Sequence, residues 1–177
     1  MIKVGESFPK FKMTAVVSND IEEAFQEVSS EDFAHKWMII FFWPKDFTFV
    51  CPTEILAFDA LIPEFEKRGA FLLGGSIDSE FVHLAWRRNT LDSIKFPMFS
   101  DIKRELTTAL GIIDDENGVA QRATFIIDPD GITRFVMVTD LSVGRNPDEV
   151  LRVLDALQNG GLCPCKWNKG DETLQPK

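Results

Sequence analysis

Residues 37–43, Trp-Met-Ile-Ile-Phe-Phe-Trp, are apolar without a break and stop at Pro44. A run that short cannot cross a bilayer as a helix, which takes about 20 residues. A strand covered on both faces of a sheet needs just such a run. A turn-rich loop follows at residues 44–50, Pro-Lys-Asp-Phe-Thr-Phe-Val, and then a helical period. Ile55, Phe58, Ile62 and Phe65 recur at i, i+3, i+7 and i+10 across residues 51–67. Pro63 inside that stretch predicts a kink or an early stop. A doubly covered strand feeding an amphipathic helix points to an α/β domain with helices on both faces of a central sheet.

The rest of the chain keeps that alternation. Residues 71–77 read as a strand, and Ser79 is placed to cap a helix through Phe81, Val82, Ala85 and Trp86. Residues 101–110 read as a short helix ended by Gly111. Strands at 123–128 and 132–139 are joined by Pro129-Asp130-Gly131, where proline presets φ and glycine takes the left-handed bend. That hairpin makes the sheet mixed rather than purely parallel. Asn146-Pro147-Asp148-Glu149 is a helix start with a cap, a first-turn proline and acids facing the dipole. Val150, Val153, Leu154 and Leu157 form its stripe, and Gly160-Gly161 ends it. The chain's 177 residues, 45% of them hydrophobic, supply one domain at ~150 residues per domain. Residues 1–160 read as that domain, with a hairpin before the first apolar run covering one end of the sheet. Residues 161–177 read as a polar tail leaving the globule.

Charge and cysteine usage narrow the function classes. Acidic residues number 28 against 19 basic ones, a net charge of −9. That argues against a nucleic-acid surface, whose affinity rests on cations neutralising phosphates. Residues 1–9 lack the apolar stretch of a secretory signal, and three cysteines do not make a disulfide framework, so a reducing cytoplasm is expected. Structural zinc wants four Cys or His ligands, and His35 and His83 are the only histidines. The acidic loops at 114–118 and 128–131 lack an acid at position 1 of a calcium loop when their glycine takes position 6. No metal is expected.

Cys51 stands where the buried strand has ended and the helix begins. A thiolate is the reactive form of cysteine, and helix N-termini and neighbouring cations favour it. By placement alone the same position suits a buried, inert cysteine equally well. The neighbouring residues shift that balance. Pro44, Thr48 and Cys51 form P-x-x-x-T-x-x-C, continued by Pro52-Thr53-Glu54. This resembles the signature of the peroxiredoxins, cysteine-dependent thiol peroxidases. The likeness extends to Ser76-Ile-Asp-Ser79, Phe96-Pro-Met-Phe-Ser-Asp101, Arg122-Ala-Thr-Phe-Ile-Ile-Asp128, Val143-Gly-Arg-Asn-Pro-Asp-Glu149 and Leu162-Cys-Pro-Cys-Lys-Trp167.

The resemblance, to the family's typical two-cysteine class, implies a thioredoxin-like fold with an N-terminal extension. It implies that Cys51 is the peroxidatic cysteine, attacking the peroxide and becoming a sulfenic acid. Thr48 would hold the peroxide, Pro44 would shape and shield the pocket, and Arg122 would lie against the thiolate and polarise the O–O bond. Arg145 matches a second arginine and Glu54 the acid that orients both. Trp86 matches an aromatic that lines such pockets, and it fits plain core as well. A thioredoxin-type reductase would place a second cysteine where Glu54 stands, so the resolving thiol must come from elsewhere. The resemblance gives that role to Cys163 of a second subunit, with Cys165 as alternate or exchange partner. It also implies no cofactor, a dithiol reductant (a thioredoxin-like protein or an adaptor reductase), and a homodimer assembling into a ring of ten or twelve. Two devices of the oxidation-sensitive members are missing: residues 89–95 replace a Gly-Gly-Leu-Gly loop, and without any tyrosine there is no C-terminal Tyr-Phe pair. Fast resolution and resistance to excess peroxide are therefore expected.

Overall fold

The computed structural model describes residues 1–176, so Lys177 of the expected tail falls outside them. The N-terminal part forms an antiparallel hairpin, β1 (Lys12–Val16) and β2 (Phe25–Ser29). A short 3-10 turn, Ser30–Phe33, begins where the Asp32 carboxylate accepts from both the amide and hydroxyl of Ser29. The apolar run then builds β3 (Trp37–Phe42), and Cys51 is the first residue of α1 (Cys51–Ala60). The helical period breaks at Leu61, and α2 (Ile62–Glu66) takes Pro63 into its first turn, where a missing N–H costs nothing. The chain continues through β4 (Ala70–Ser76) and α3 (Glu80–Thr90), whose Val82 amide donates to the Ser79 hydroxyl.

After β5 (Met98–Ser100), α4 (Glu105–Leu110) starts four residues later than the sequence suggests. The Asp101 carboxylate there accepts from the amides of Leu106 and Thr107, so its residue acts as a cap at a distance instead of joining the helix. A small hairpin, β6 (Ile113–Asp114) and β7 (Val119–Ala120), precedes β8 (Arg122–Ile127) and β9 (Thr133–Thr139). The last helix, α5 (Pro147–Asn159), is capped by the Asn146 side chain and ends at Gly160 with φ of 72°.

Among the described residues the main sheet has seven strands in the order β2-β1-β5-β4-β3-β8-β9. β3 and β4, and β4 and β5, run parallel; β3 with β8, and β8 with β9, run antiparallel, giving the expected mixed sheet. The N-terminal hairpin extends the sheet rather than covering its end. Ala15 and Val16 are fully buried and pair with Phe99 and Met98, a two-residue match too short to show as a periodic pattern. Alternate residues of β3 enter opposite halves of the core. Ile39 and Phe41 face α1, α3 and α5 with Phe58, Leu84 and Leu154, while Met38, Ile40 and Phe42 join Leu106, Leu110 and Phe125. Gly74 and Gly75 are required in β4, because a Cβ there would meet the Phe41 ring and the Phe99 carbonyl respectively.

The tail does not leave the globule. Trp167 is 2% exposed, and its carbonyl accepts a hydrogen bond from Arg152 of α5 at 2.9 Å. The tail's polar composition conceals a single tryptophan that buries its ring and brings the segment back.

Candidate active site

The positioning of Cys51 follows from the buried face of α1. Cys51, Glu54, Ile55 and Phe58 lie at i, i+3, i+4 and i+7 and are all buried, so the acid shares the face of the thiol. Cys51 itself is 0% exposed. Among the described residues no side chain caps this helix; the Thr53 and Glu54 amides both turn back to the Val50 carbonyl. The sulfur sits in the first turn, where the helix dipole favours negative charge.

Arg122, the first residue of β8, projects across the sheet end to the same point. Its Nη1 donates to Cys51 Sγ at 3.3 Å and to Glu54 Oε2 at 2.7 Å, and its Nε donates to the Leu141 carbonyl at 2.7 Å. Arg145, in the loop before α5, closes on the other side of the acid. Its Nε and backbone amide donate to Glu54 Oε1 at 2.7 and 2.8 Å, and its Nη2 donates to Oε2 at 2.9 Å. Its Nη1 is held by the Ala123 carbonyl and the Thr124 hydroxyl, and its plane lies near the stacked rings of Phe41 and Phe58. One buried carboxylate therefore sits between two buried guanidiniums, and one of these touches the sulfur. Burial alone would push the Glu54 carboxyl up. The Arg145 hydrogen bonds and the charges of both arginines outweigh it and hold the group below the usual carboxylate range.

The loop of residues 44–50 is pinned from below by groups the sequence did not single out. Asp46 is buried; its Oδ1 accepts from Trp43 Nε1 at 2.7 Å, and its Oδ2 is hydrogen-bonded to His83 Nδ1 at 2.6 Å. The Phe99 carbonyl can only accept, so His83 Nε2 donates to it at 3.0 Å. The Asp46 amide donates to Asp78 Oδ2 at 2.8 Å. The loop is thus tied to α3 and to the end of β4. Above the tie, Phe47 adopts φ of 55°, a left-handed conformation costing about 1–2 kcal/mol in a non-glycine residue. The anchored loop holds that strain four residues before Cys51.

A protein-family model described as the AhpC/TSA family matches residues 4–136, the stretch that holds the loop, Cys51 and Arg122. The chain belongs to the AhpC/TSA family. Among family members, alkyl hydroperoxide reductase C of Mycolicibacterium smegmatis is 54% identical over 98% of this chain and 94% of its own length. The solved structure of Mycobacterium tuberculosis AhpC superimposes with a TM-score of 0.86 at 50% identity, covering 95% of this chain and 99% of that one. The reduced 2-Cys peroxiredoxin of Plasmodium vivax gives a TM-score of 0.92 at 37% identity over 100% of this chain and 95% of its own. The peroxiredoxin-type, thioredoxin-like fold expected from the motifs is the observed one.

Within this family member, Cys51, Glu54, Arg122 and Arg145 come together as one hydrogen-bonded cluster. Pro44 is buried at the end of the β3 run, and Thr48 lies half-buried in the same loop, its hydroxyl donating to the Lys45 carbonyl at 3.1 Å. That leaves the Thr48 oxygen free to accept. Trp86 is 2% exposed and packs against Trp43 and Phe47, beneath the loop. Cys163 and Cys165 stand apart from the cluster, on the tail beside α5. His83, dismissed as a metal ligand for want of partners, is instead the loop's anchor. Its partner Asp46 lies 37 residues away in the chain, so no local pattern marked the pair. Among the described residues no group of three His, Cys, Asp or Glu is placed to hold a metal. No helix among them is long and apolar enough to cross a membrane.

Proposed function

We propose that the chain is a thiol peroxidase that reduces hydrogen peroxide and organic hydroperoxides through Cys51, in antioxidant defence and redox homeostasis. The observation that carries this is the 3.3 Å contact between Arg122 and the Cys51 sulfur, with Arg122 fixed on its other sides by Glu54 and the Leu141 carbonyl. A guanidinium stays charged and offers several donors in a plane, so it can face the sulfur and an incoming peroxide oxygen together. The Cys51 thiolate attacks the terminal oxygen, the O–O bond breaks, and the leaving alkoxide or hydroxide takes up a proton. Thr48 orients the peroxide and Pro44 keeps water from the new sulfenic acid. Most of the rate comes from a charge that is already in place when the transition state forms.

Cys163 of a second copy then attacks the sulfenic sulfur, releasing water and leaving an intersubunit disulfide. A dithiol, from a thioredoxin-like protein or an adaptor reductase, reduces it. Because Cys51 is fully buried in the first turn of α1, that turn has to unwind before the sulfurs can meet. A homodimer is supported by the sheet, whose terminal strand β9 has no strand on its outer side among the described residues. Such edges are normally paired or covered. Further assembly into a ring of ten or twelve is supported by the exposed Phe47, Phe49 and Phe81, the second of them 95% exposed. A reducing, cytoplasmic setting suits a chain whose three cysteines make no disulfide framework.

The test follows peroxide loss with a generic dithiol as reductant. Cys51→Ser is expected to fall to the uncatalysed background. Cys163→Ser is expected to keep its first turnover and lose the linked dimer on a non-reducing gel. Peroxide consumption by Cys51→Ser at the wild-type rate defeats the reading. A linked dimer that persists in Cys163→Ser moves the resolving role to Cys165. Disulfide exchange without peroxidase activity is disfavoured because Glu54 occupies the place of a local second cysteine.

A further inference from the structure

Cys163 lies against α5, and two side chains of that helix, Arg152 and Asp155, hold the tail there. Arg152 and Ala156 are one turn apart, so they share a face. Cys163 Sγ lies 3.8 Å from the Ala156 carbonyl, and Arg152 Nη1 donates to the Trp167 carbonyl at 2.9 Å. The tail therefore runs back along the helix from Ala156 toward Arg152, with Cys165 exposed between the two contacts. Glu149 fixes the guanidinium from below in a two-point fork, at 2.6 Å to Nε and 2.7 Å to Nη2, leaving Nη1 for the tail. Further along, Lys169 reaches Asp155 of the same helix at 3.5 Å, and Leu162 bridges to Leu174.

We propose that Arg152 is a positioning residue for the resolving half of the reaction, closing residues 161–167 into a short loop on α5 that keeps Cys163 and Cys165 at one defined place. The proposal rests on reading the tail cysteines as resolving thiols. A thiol on a short tethered loop meets its partner at a higher effective concentration than one on a free tail. Gly160, left-handed at the end of α5, forms one end of the loop and the Arg152–Trp167 bond the other. Arg152 is held fully charged, first by its bonds to Glu149, with Cys165 and Cys163 also within reach of its field. The bonds it governs are those of disulfide formation alone: the Cys163 thiolate attacks the Cys51 sulfenic sulfur, the S–O bond breaks, and hydroxide leaves as water. Peroxide attack by Cys51 proceeds without it.

Rapid mixing of the full-length reduced protein with one equivalent of peroxide, quenched by alkylation and read by intact mass, separates the two steps. In Arg152→Ala the loss of the Cys51 thiol is expected at the wild-type rate, with disulfide formation slowed about tenfold. Sulfinic Cys51 accumulates under excess peroxide, and trypsin cleaves faster after Lys166 and Lys169. Arg152→Lys, which keeps a donor for Trp167 but loses the fork on Glu149, is expected to fall between and carries the test if the alanine variant is misfolded. Disulfide formation at the wild-type rate in both variants overturns the proposal. The double variant Cys163→Ser/Cys165→Ser tests the underlying reading separately. If it still forms a disulfide at the wild-type rate, which could join only two Cys51 residues, the tail cysteines are not the resolving thiols, whatever Arg152 does.

Discussion

Replacing Arg122 by methionine is expected to slow the first turnover with hydrogen peroxide by about 100- to 1000-fold. That is the range seen when one preorganised donor to a developing charge is removed, about 2.7–4 kcal/mol. Among the described residues the group is the one cation in contact with the Cys51 sulfur, at 3.3 Å, so the thiolate and the departing peroxide oxygen lose their nearest positive charge together. The stability cost is much smaller than the catalytic one. Glu54 keeps Arg145 on both of its oxygens, and the Leu141 carbonyl at the loop surface can turn to water. Arg122→Lys is expected to recover only part of the rate. A single ammonium cannot hold Leu141, Glu54 and the sulfur at once, and so cannot keep the charge on the sulfur. Stopped-flow measurement of the reduced enzyme checks this, and a methionine variant within threefold of wild type contradicts it.

Glu54→Gln has the largest expected effect on stability, about 3–5 kcal/mol, because it leaves two buried guanidiniums without their counter-ion. The amide nitrogen of the glutamine would also face Arg145 or Arg122, donor against donor. The pH dependence gives an independent signature. The carboxyl is held below its ordinary value near 4.5, so the folded state binds its proton less readily than the unfolded one. The stability it contributes is therefore present in full above that ordinary value and drains away as pH falls through the folded-state value. In Glu54→Gln that part of the acid limb is absent. Denaturant midpoints taken from pH 7 downward should drop less steeply for the variant, on a lower baseline. A variant as stable as wild type at pH 7 would show that the two arginines do not depend on this carboxylate.

The alternation of apolar runs and helical periods was enough to define the α/β class, the mixed sheet and the caps at Ser79 and Asn146. Those depend on local residue chemistry. Three features were hidden because their partners are distant in the chain. β1 joins the sheet through Ala15 and Val16 alone, and their partner strand lies more than eighty residues on. Asp101 reads as a helix-starting residue but caps α4 from four residues away. Trp167 looks like part of a polar tail until its carbonyl is seen against Arg152. The site shows the same division. Cys51 and Glu54 could be placed on one face by helical spacing, whereas the approach of Arg122 and Arg145 rested on resemblance until the fold brought them together. The anchor of Asp46 and His83 had no counterpart in either kind of reading. It joins a loop to α3 across a core that no local pattern describes.

The central claim is that Cys51 is the sulfur that takes the peroxide oxygen. The direct measurement uses the Cys163→Ser/Cys165→Ser variant, reduced, mixed with one equivalent of hydrogen peroxide in the presence of a sulfenic-acid-specific 1,3-dione. Peptide mass spectrometry then locates the adduct. The account predicts one adduct per chain, on Cys51, formed as fast as peroxide disappears and lost when Arg122 is replaced by methionine on the same timescale. Peroxide consumption with no adduct on Cys51 would contradict it.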